Sequence, residues 1–564
     1  MNPLIECVPN ISEGRDMAKI NAIAGVVETV EGVRLLEVDP GKSANRTVIT
    51  FIGPPEQVVE AAFRLIKKAA ELIDMRVQTG EHLRMGATDV CPLVPISGIT
   101  LEELIPYAHQ LGERVGSELN IPGYFYENAA LHPLRKNLEY CRFGEYEGLG
   151  KLSTASGKPD FGPAEFNDAV KKTGAMVIGA RDFLIAYNIN LNTTSARKAQ
   201  EVAFDIRESG RIMREGGLPS GKILINEEGK PIRIPGSLKA VKGIGWYIEE
   251  YGIAQTSLNI TNFNITPVHI AFEEVCKKAA ERGMRVTGSE LVGLIPLKCL
   301  VDAGEYFLKK QQRSIGVSEK EKVKIAIKSL GLDDLFPFDP NKKIIEYLMR
   351  DPSQKRLADL SLLEFADKSA SESYLPGGGS VAAYCGALGA ALGTMTANVS
   401  ANKAGWEDKW EDFSNWALRG ETIKNELIEL VDEDVLAYQE MINTYKMPKR
   451  TDSEIALRKE AIAQATKKAI EIPLQIAQTA EKAFDLIEAM VQRGNLNSVT
   501  DGGVGAVLIR SAIKASVMNI RINIKNFEDN DYKNITLLEA VRLEGEAQTR
   551  ENRIIELVSK RLGL

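Results

Sequence analysis

A stretch centred on one histidine, residues 79–92, holds the side chains best suited to acid–base chemistry. It contains His82, one of four histidines in 564 residues, between Glu81 and Arg84, and a second carboxylate follows at Asp89. An imidazole moves protons near neutral pH, and the glycines of the stretch let backbone approach a bound molecule. The pattern predicts a proton-transfer site, although a strand-end turn with a surface histidine would have the same composition.

A second candidate is Asp434, which lies in a long helical pattern near the C-terminal end. The apolar stripe of that pattern consists of Ile423, Leu427, Leu430, Val431, Ala437, Tyr438 and Met441. At helical spacing Asp434 falls on the stripe, whereas Asp432 lies toward its flank. A carboxylate on a buried face is costly unless it is paired, and its pKa tends to rise. Function explains such a cost, and so does a structural pair with a buried lysine or arginine.

Residues 1 to about 330 mix strand and helix patterns. Residues 34–39 and 47–52 alternate as β-strands, and Gly-Pro-Pro then leads into an amphipathic helix that ends near Ile73. Residues 255–265 repeat the strand pattern, and Pro267 precedes a second helix.

Three short matches in one order link these two passages. The matched pairs are 67–71 with 277–281, 75–77 with 284–286, and 79–81 with 287–290. They predict a duplicated α/β unit that forms two similar lobes facing each other. The second copy keeps the turn but has Leu291 after Glu290 where the first has its histidine. We therefore expect catalysis in the first lobe and mainly binding in the second.

The segments around the second copy have looser patterns. Prolines and glycines at 159–163 indicate a loop that crosses between lobes, and a single strand is predicted over 179–188. Residues 209–237, rich in glycine, proline and charge, are typical of a surface excursion, and 335–353 of a linker around one short helix.

After residue 355 the strand patterns vanish. Helices are predicted at about 411–445, 453–492, 503–524 and 535–561, preceded by a helix that opens after Pro376 and carries many small residues. The apolar run at 381–399 is built of Ala, Gly and Thr, which predicts a buried helix rather than a membrane span.

The predicted fold class is therefore a multidomain protein with two similar α/β lobes followed by an all-α helical bundle. The predicted boundaries are 1–178 for the first lobe, 179–332 for the second, 333–355 for a linker and 356–564 for the helical domain.

Composition narrows the function classes. The chain is 44% apolar and 26% charged with a net charge of −7, which is typical of a globular protein without a nucleic-acid footprint. Six dispersed cysteines without a Cys-x-x-Cys pair, and no visible signal peptide, predict a reduced, cytoplasmic protein. No Walker loop or ligand-spaced His/Cys cluster occurs, so no metal or nucleotide site is predicted, and the other three histidines are expected to be ordinary.

Several motifs together resemble a known family. Residues 6–14, 44–48, 80–92, 243–247 and 291–298 resemble glutamate formimidoyltransferase. The helical part, with 376–383 and 430–434, resembles formimidoyltetrahydrofolate cyclodeaminase. Their order and length resemble the fused formimidoyltransferase-cyclodeaminase family over nearly the whole chain.

The resemblance implies two steps of histidine degradation. The first transfers the formimidoyl group of N-formimidoyl-L-glutamate to N5 of tetrahydrofolate, and the second cyclises the product to 5,10-methenyltetrahydrofolate with release of ammonia. The alternative is that only the transferase is active and the helical domain binds folate or assembles an oligomer. The family also implies a polyglutamylated folate co-substrate, no metal, a homo-oligomer, and no nucleic-acid or membrane partner.

The resemblance also implies site residues. His82 matches the transferase acid/base and Asp434 the cyclodeaminase aspartate. The family's folate-binding loop matches residues 162–174, where this chain carries two extra residues. The loop residues assigned to folate are Gly162, Pro163, Ala164, Glu165, Phe166 and Gly174.

Further candidates follow from the chemistry. Asp39 and Glu81 are suited to orienting His82 or holding the positive formimidoyl group. Guanidinium forks match carboxylates, so Arg46, Arg84 and Arg181 are candidates for the substrate's carboxylates, with surface ion pairs as the alternative. In the helical domain, a folate loop is predicted at Gly377, Gly378, Gly379 and Ser380, where helix N–H groups meet an anion. A tight interhelical turn is the alternative there, and Asp501 is a weaker second carboxylate.

Overall fold

The computed structural model describes residues 3–42, 44–80, 83–155, 157–217, 220–350, 355–525 and 527–564. Two predicted site residues, Glu81 and His82, lie outside the described residues. The chain divides into two compact units, Met1–Ala303 with Ala326–Arg350, and Gly304–Ile325 with Asp351–Leu564.

The first lobe is built on a seven-stranded mixed sheet. Its strands are β1 Leu4–Cys7, β2 Asn10–Ile11, β3 Arg34–Gly41, β4 Arg46–Gly53, β5 Thr88–Ser97, β6 Gly123–Glu127 and β7 Met176–Ala180. Its helices are α1 Met17–Gly25, α2 Pro55–Leu72, α3 Leu101–Glu118, α4 Leu138–Cys141 and α5 Asp168–Thr173. Proline at the first turn starts α2, and a Thr100–Glu103 capping box starts α3.

The two faces of this sheet differ in chemistry. Alternate residues such as Ile5, Phe51 and Leu93 are fully buried in a core that the long helices α1–α3 cover. The other face carries polar side chains, among them Glu6 and Tyr126, because successive strand residues point to opposite sides. The polar face is the part of the fold that bears on function.

The second lobe contains a four-stranded antiparallel sheet in the order β11-β12-β8-β13. The lobe comprises β8 Ile185–Leu191, α6 Ala196–Ile206, β9 Arg211–Ile212, β10 Arg233–Ile234, β11 Val241–Ile248, β12 Ile253–Ile260, α7 Val268–Ala280 and β13 Val286–Val292. The hairpin β11–β12 followed by α7 repeats the arrangement of β3–β4 and α2, and this confirms the predicted pair of α/β lobes.

Three local predictions were wrong. The strand predicted over 179–188 is two strands, since β7 pairs in the first sheet and β8 in the second. The strand predicted over 255–265 ends at Ile260, because the Asn262 side chain accepts from the N–H of Asn264 and turns the chain. The matched passage 287–290 lies within strand β13 and is not a turn.

Residues 297–349 contain short and medium helices. They are α8 Leu297–Lys310, α9 Glu319–Leu330, α10 Pro340–Lys343 and α11 Ile345–Met349. The predicted linker thus contains two short helices where one was expected, and Ile344 bridges to Ile295 of the second lobe.

The C-terminal unit is a bundle of long helices, as predicted. They are α12 Leu362–Ser369, α13 Gly378–Ala401, α14 Trp410–Tyr445, α15 Asp452–Arg493, α16 Val499–Ile524 and α17 Asn530–Leu562. Glycines let α13 and α16 approach closely, since a Cβ on Gly389 would stand 2.9 Å from the carbonyl oxygen of Gly505. In the described chain, α13 and the stretch around α16 are long and apolar enough to cross a membrane, but 61% and 50% of their most apolar windows are buried in the bundle.

Candidate functional site

Asp89 organises the start of strand β5 on the first lobe. Its carboxylate is fully buried and accepts hydrogen bonds from the guanidinium groups of both Arg46 and Arg142. Its second oxygen accepts from the N–H of Met85 at 3.0 Å. Burial lowers the pKa of Arg46, and the Asp89 charge opposes that shift. The structure thus places Arg46, a predicted substrate contact, in a buried ion pair.

The described residues on both sides of His82 are anchored to this lobe. The Asn45 side chain donates to the carbonyl of Thr79 at 2.7 Å, and Arg84 donates to Glu147 at 2.8 Å. A Cβ on Gly80 would stand 2.4 Å from the carbonyl oxygen of Ala44. At least one glycine of the motif therefore serves close approach of the chain to itself, and Arg84 lies in a surface ion pair.

The predicted folate loop joins the same region. Gly174 has a positive φ of 70°, and its added Cβ would collide with the Met85 carbonyl. An isolated bridge pairs Gly174 with Gly86, so one end of the loop lies beside the histidine-bearing stretch. At the other end, Gly162 with φ of 75° packs on the Ile121 carbonyl. Between them, Phe166 and Tyr146 make an edge-on ring contact at 6.0 Å, Glu165 is exposed, and Pro163 and Ala164 are half-buried.

Asp39 contacts the second lobe directly. Its Oδ2 accepts from the N–H of Gly293 at 3.0 Å, and the Lys343 ammonium lies 4.0 Å away. Lys343 also donates to Glu37 at 2.5 Å. Burial raises the pKa of Glu37 despite this pairing. Asp39 is therefore engaged at the junction between the lobes.

Sequence reasoning missed Glu6, which lies beside Arg181. The Glu6 side chain is 3% exposed, and burial raises its pKa to about 7, with Arg181 opposing the shift and Glu37 adding to it. Arg181 is half-buried and donates to the Asp182 carbonyl at 2.8 Å. The available signal was a glutamate alternating with Ile5 and Cys7 in a short strand.

The second lobe has its own polar sheet face around Glu290. Its carboxylate accepts from the Tyr251 hydroxyl at 3.0 Å, and from the Asn188 and Gln255 amides at 3.2 Å each. Burial, together with the Glu290 charge, raises the pKa of Tyr251. Sequence reasoning identified only Glu290, because the other three residues lie on different strands or in a turn.

In the helical unit, Asp434 of α14 lies against the first turn of α13. Its Oδ2 accepts from the Ser380 hydroxyl at 3.0 Å, and a Cβ on Gly379 would stand 2.1 Å from its Oδ1. Burial raises the pKa of Asp434, and hydrogen bonds from the hydroxyl and backbone N–H of Ser380 partly oppose this. Among the described residues no lysine or arginine pairs with Asp434 within 4 Å. The structure thus brings together Asp434 and part of the predicted folate loop.

Two other carboxylates of the bundle differ from Asp434. Asp432 accepts from the Leu357 N–H at 2.6 Å and pairs with Arg356 at 3.4 Å, which is a structural arrangement. Asp501 lies in the first turn of α16. Asn519 was missed by sequence reasoning, and its amide faces Gly378 at the start of α13.

No group of three His, Cys, Asp or Glu side chains placed to hold a metal ion occurs within the described ranges.

Comparison with protein families assigns almost the whole chain. Residues 4–181 match the family described as the formiminotransferase domain, N-terminal subdomain, and residues 186–350 match the formiminotransferase domain. Residues 361–541 match the family described as formiminotransferase-cyclodeaminase.

Individual relatives agree with these matches. The chain is 40% identical to a formimidoyltransferase-cyclodeaminase of Gallus gallus, with 100% of both chains covered. It is 40% identical to a glutamate formimidoyltransferase of Thermoplasma acidophilum over 54% of this chain and 92% of the relative. It is 31% identical to a methenyltetrahydrofolate cyclohydrolase of Methylorubrum extorquens over 35% of this chain and 95% of the relative.

Proposed function

The chain belongs to the formimidoyltransferase-cyclodeaminase family, and from this premise we propose that it runs the two reactions at separate sites. In the first, N5 of tetrahydrofolate attacks the formimidoyl carbon of N-formimidoyl-L-glutamate. In the second, N10 attacks the same carbon and ammonia leaves, so that 5,10-methenyltetrahydrofolate forms.

The transfer step needs a base and then an acid. The base takes the N5 proton as the tetrahedral intermediate forms, and the acid protonates the departing glutamate nitrogen. We assign both roles in turn to His82, because an imidazole near its own pKa can accept and return a proton. The anchoring of Thr79 and Met85, which flank the histidine, supports this assignment.

The ring-closing step is assigned to Asp434, and the burial of this carboxylate without a cationic partner is the observation that carries the proposal. A raised pKa keeps a fraction of the carboxyl protonated near neutral pH, so that it can protonate the leaving ammonia nitrogen or take the N10 proton. The first turn of α13 orients the carboxyl through Ser380. The cyclohydrolase relative of this domain bears the name of the proposed product, which adds support.

The test is an assay with formimidoylglutamate and tetrahydrofolate that follows methenyltetrahydrofolate absorbance and released ammonia. His82→Ala should abolish transfer yet close 5-formimidoyltetrahydrofolate that is supplied directly. Asp434→Ala should show the reverse. Loss of both activities in either well-folded variant would contradict two separate sites, and transfer without closure in the wild type would favour the transferase-only alternative.

We also propose a homo-oligomer built through α13 and α16. The outward residues of α13 recur at alternating spacings of four and three, as in a coiled-coil seam, and several are more than a third exposed. They are Val381, Cys385, Leu388, Leu392, Met395 and Val399. On α16 the same spacing gives Val504, Leu508, Ser511, Ala515, Met518 and Ile522. Leu388→Glu with Met518→Glu should lower the mass measured by light scattering, and an unchanged mass would exclude this face.

The remaining expectations follow from family membership. We propose a polyglutamylated tetrahydrofolate as the natural co-substrate, which a lower KM for the pentaglutamate than for the monoglutamate would support. We propose a cytoplasmic location, consistent with six free cysteines that are buried or half-buried. Fractionation of the source cells tests the location.

A further inference from the structure

Glu6 is a buried carboxylate on the polar face of the first sheet. In strand β1 it stands opposite Ile52 of β4 and Val94 of β5, whereas its neighbours Ile5 and Cys7 point into the helix-covered core. Only 3% of the Glu6 side chain is exposed. A carboxylate in such a position costs several kcal/mol unless it finds a partner.

Glu37 and Asp39 share this face with Glu6. In the strand register, Glu37 opposes Thr50 and Asp39 opposes Val48, and both partners alternate in phase with Ile52. Tyr126 belongs to the same face, because it opposes Gly179, which in turn opposes Pro92. The face therefore collects acidic groups where the second lobe contributes Gly293.

The carboxylates here outnumber the cations that act on them. Lys343 pairs with Glu37, and the Gly293 N–H binds Asp39. Arg181 acts on Glu6 electrostatically from its position after β7. Among the described residues no hydrogen-bond donor or salt-bridge partner is placed on the Glu6 carboxylate, and Glu37 Oε2 is likewise buried without one. Three carboxylates thus face two cations, which leaves room for one more positive charge.

We propose that Glu6 binds the positively charged amidinium of the formimidoyl donor and selects it over a neutral formyl group of the same shape. This inference rests on the proposed transferase function. The amidinium carries N–H donors on a planar carbon, as guanidinium does, and a carboxylate accepts such donors side by side. The formyl analogue has an amide oxygen in place of one nitrogen, so it brings no positive charge and would set an oxygen against the carboxylate.

The state of the empty site agrees with this role. Burial raises the pKa of Glu6 to about 7, although Arg181 opposes the shift. Arg181 therefore does not fully compensate the buried charge. A bound cation would supply the missing compensation, and a neutral ligand would leave the carboxylate unpaired.

The experiment compares the cationic donor with a neutral competitor. For wild type, Glu6→Gln and Glu6→Asp, one measures kcat/KM for N-formimidoyl-L-glutamate and the inhibition constant of N-formyl-L-glutamate. Glu60→Gln is the matched control, because Glu60 lies on α2 in a surface cluster with Arg64 and Arg114. Thermal unfolding checks that each variant is folded.

We expect Glu6→Gln to lower kcat/KM about 10- to 100-fold while the inhibition constant of the formyl analogue stays the same or improves. Glu6→Asp keeps the charge and should keep part of the preference, and Glu60→Gln should match wild type. A folded Glu6→Gln variant that still prefers the cationic donor as wild type does would overturn the proposal. A wild type with no transfer activity would instead count against the proposed function.

Wild type alone gives a second test that does not depend on folding of a variant. The charged groups acting on Glu6 are Arg181 and Glu37, and the donor amidinium stays charged throughout this range. The preference for the cationic donor should fall as pH is lowered from about 8 to about 6 and Glu6 takes up a proton. A preference that stays constant over this interval would overturn the assignment.

Discussion

The Ser380 hydroxyl donates to Asp434 Oδ2 at 3.0 Å, and this bond joins the first turn of α13 to the middle of α14. The two residues are 54 positions apart in the chain. Gly379 makes the contact possible, since any larger residue would place its Cβ 2.1 Å from Asp434 Oδ1. The carboxylate is therefore held by a helix terminus that lacks a competing side chain.

Gly379→Ala should displace the Asp434 carboxylate. We expect ring closure to fall at least about tenfold and the free energy of unfolding of the helical unit to fall by about 1–3 kcal/mol, with transfer unchanged. Gly545→Ala is the matched control, because a Cβ there meets nothing within 4 Å on helix α17. Single-turnover closure of supplied 5-formimidoyltetrahydrofolate measures the effect, and equal rates in both variants would contradict it.

Asp434→Asn should remove ring closure yet stabilise the helical unit. Folding raises the pKa of this carboxyl, so the folded state resists its ionisation. The advantage of Asn is absent below the unfolded pKa, grows as pH rises toward the folded value, and is constant above it. Thermal midpoints of variant and wild type should thus converge in acid and differ by a few degrees at neutral pH. A variant less stable than wild type at neutral pH would contradict this account.

Asp89→Asn should destabilise the first lobe. Removal of the buried charge leaves the guanidinium groups of Arg46 and Arg142 without their carboxylate, at a cost of about 3–5 kcal/mol. Asp168→Asn breaks only an exposed pair with Lys171 and should cost less than about 1 kcal/mol. Denaturant unfolding measures both variants, and a loss of similar size in the two would show that Asp89 is not structural.

Glu290→Gln should be tolerated, whereas Glu290→Leu should not. A glutamine oxygen can accept from both Asn188 and Gln255, and its NH₂ can donate to the Tyr251 hydroxyl, which also accepts. Leucine leaves these donors unpaired, at about 1–3 kcal/mol each.

The same Gln variant should lower the pKa of Tyr251, because the Glu290 charge helps to raise it. Ultraviolet titration of tyrosine in the variant and wild type checks this shift. An unchanged titration curve would mean that burial alone controls Tyr251.

Local and periodic information in the chain determined much of the architecture. The 3.6-residue period identified the long helices and put Asp434 on an apolar stripe, and the order of short matches predicted the duplicated lobes. The family resemblance also needed no coordinates, because the motifs run in one order along the whole chain. These features depend on residues close together in the sequence or on their order.

Only the tertiary structure decided which groups meet. The alternation over 179–188 could not reveal two strands in separate sheets, and Arg46 looked like a substrate contact until its burial against Asp89 was known. Glu6 and Ser380 acquired their meaning from strands and helices that pack beside them. Burial and charge compensation arise from residues far apart in the chain, so spacing alone does not carry them.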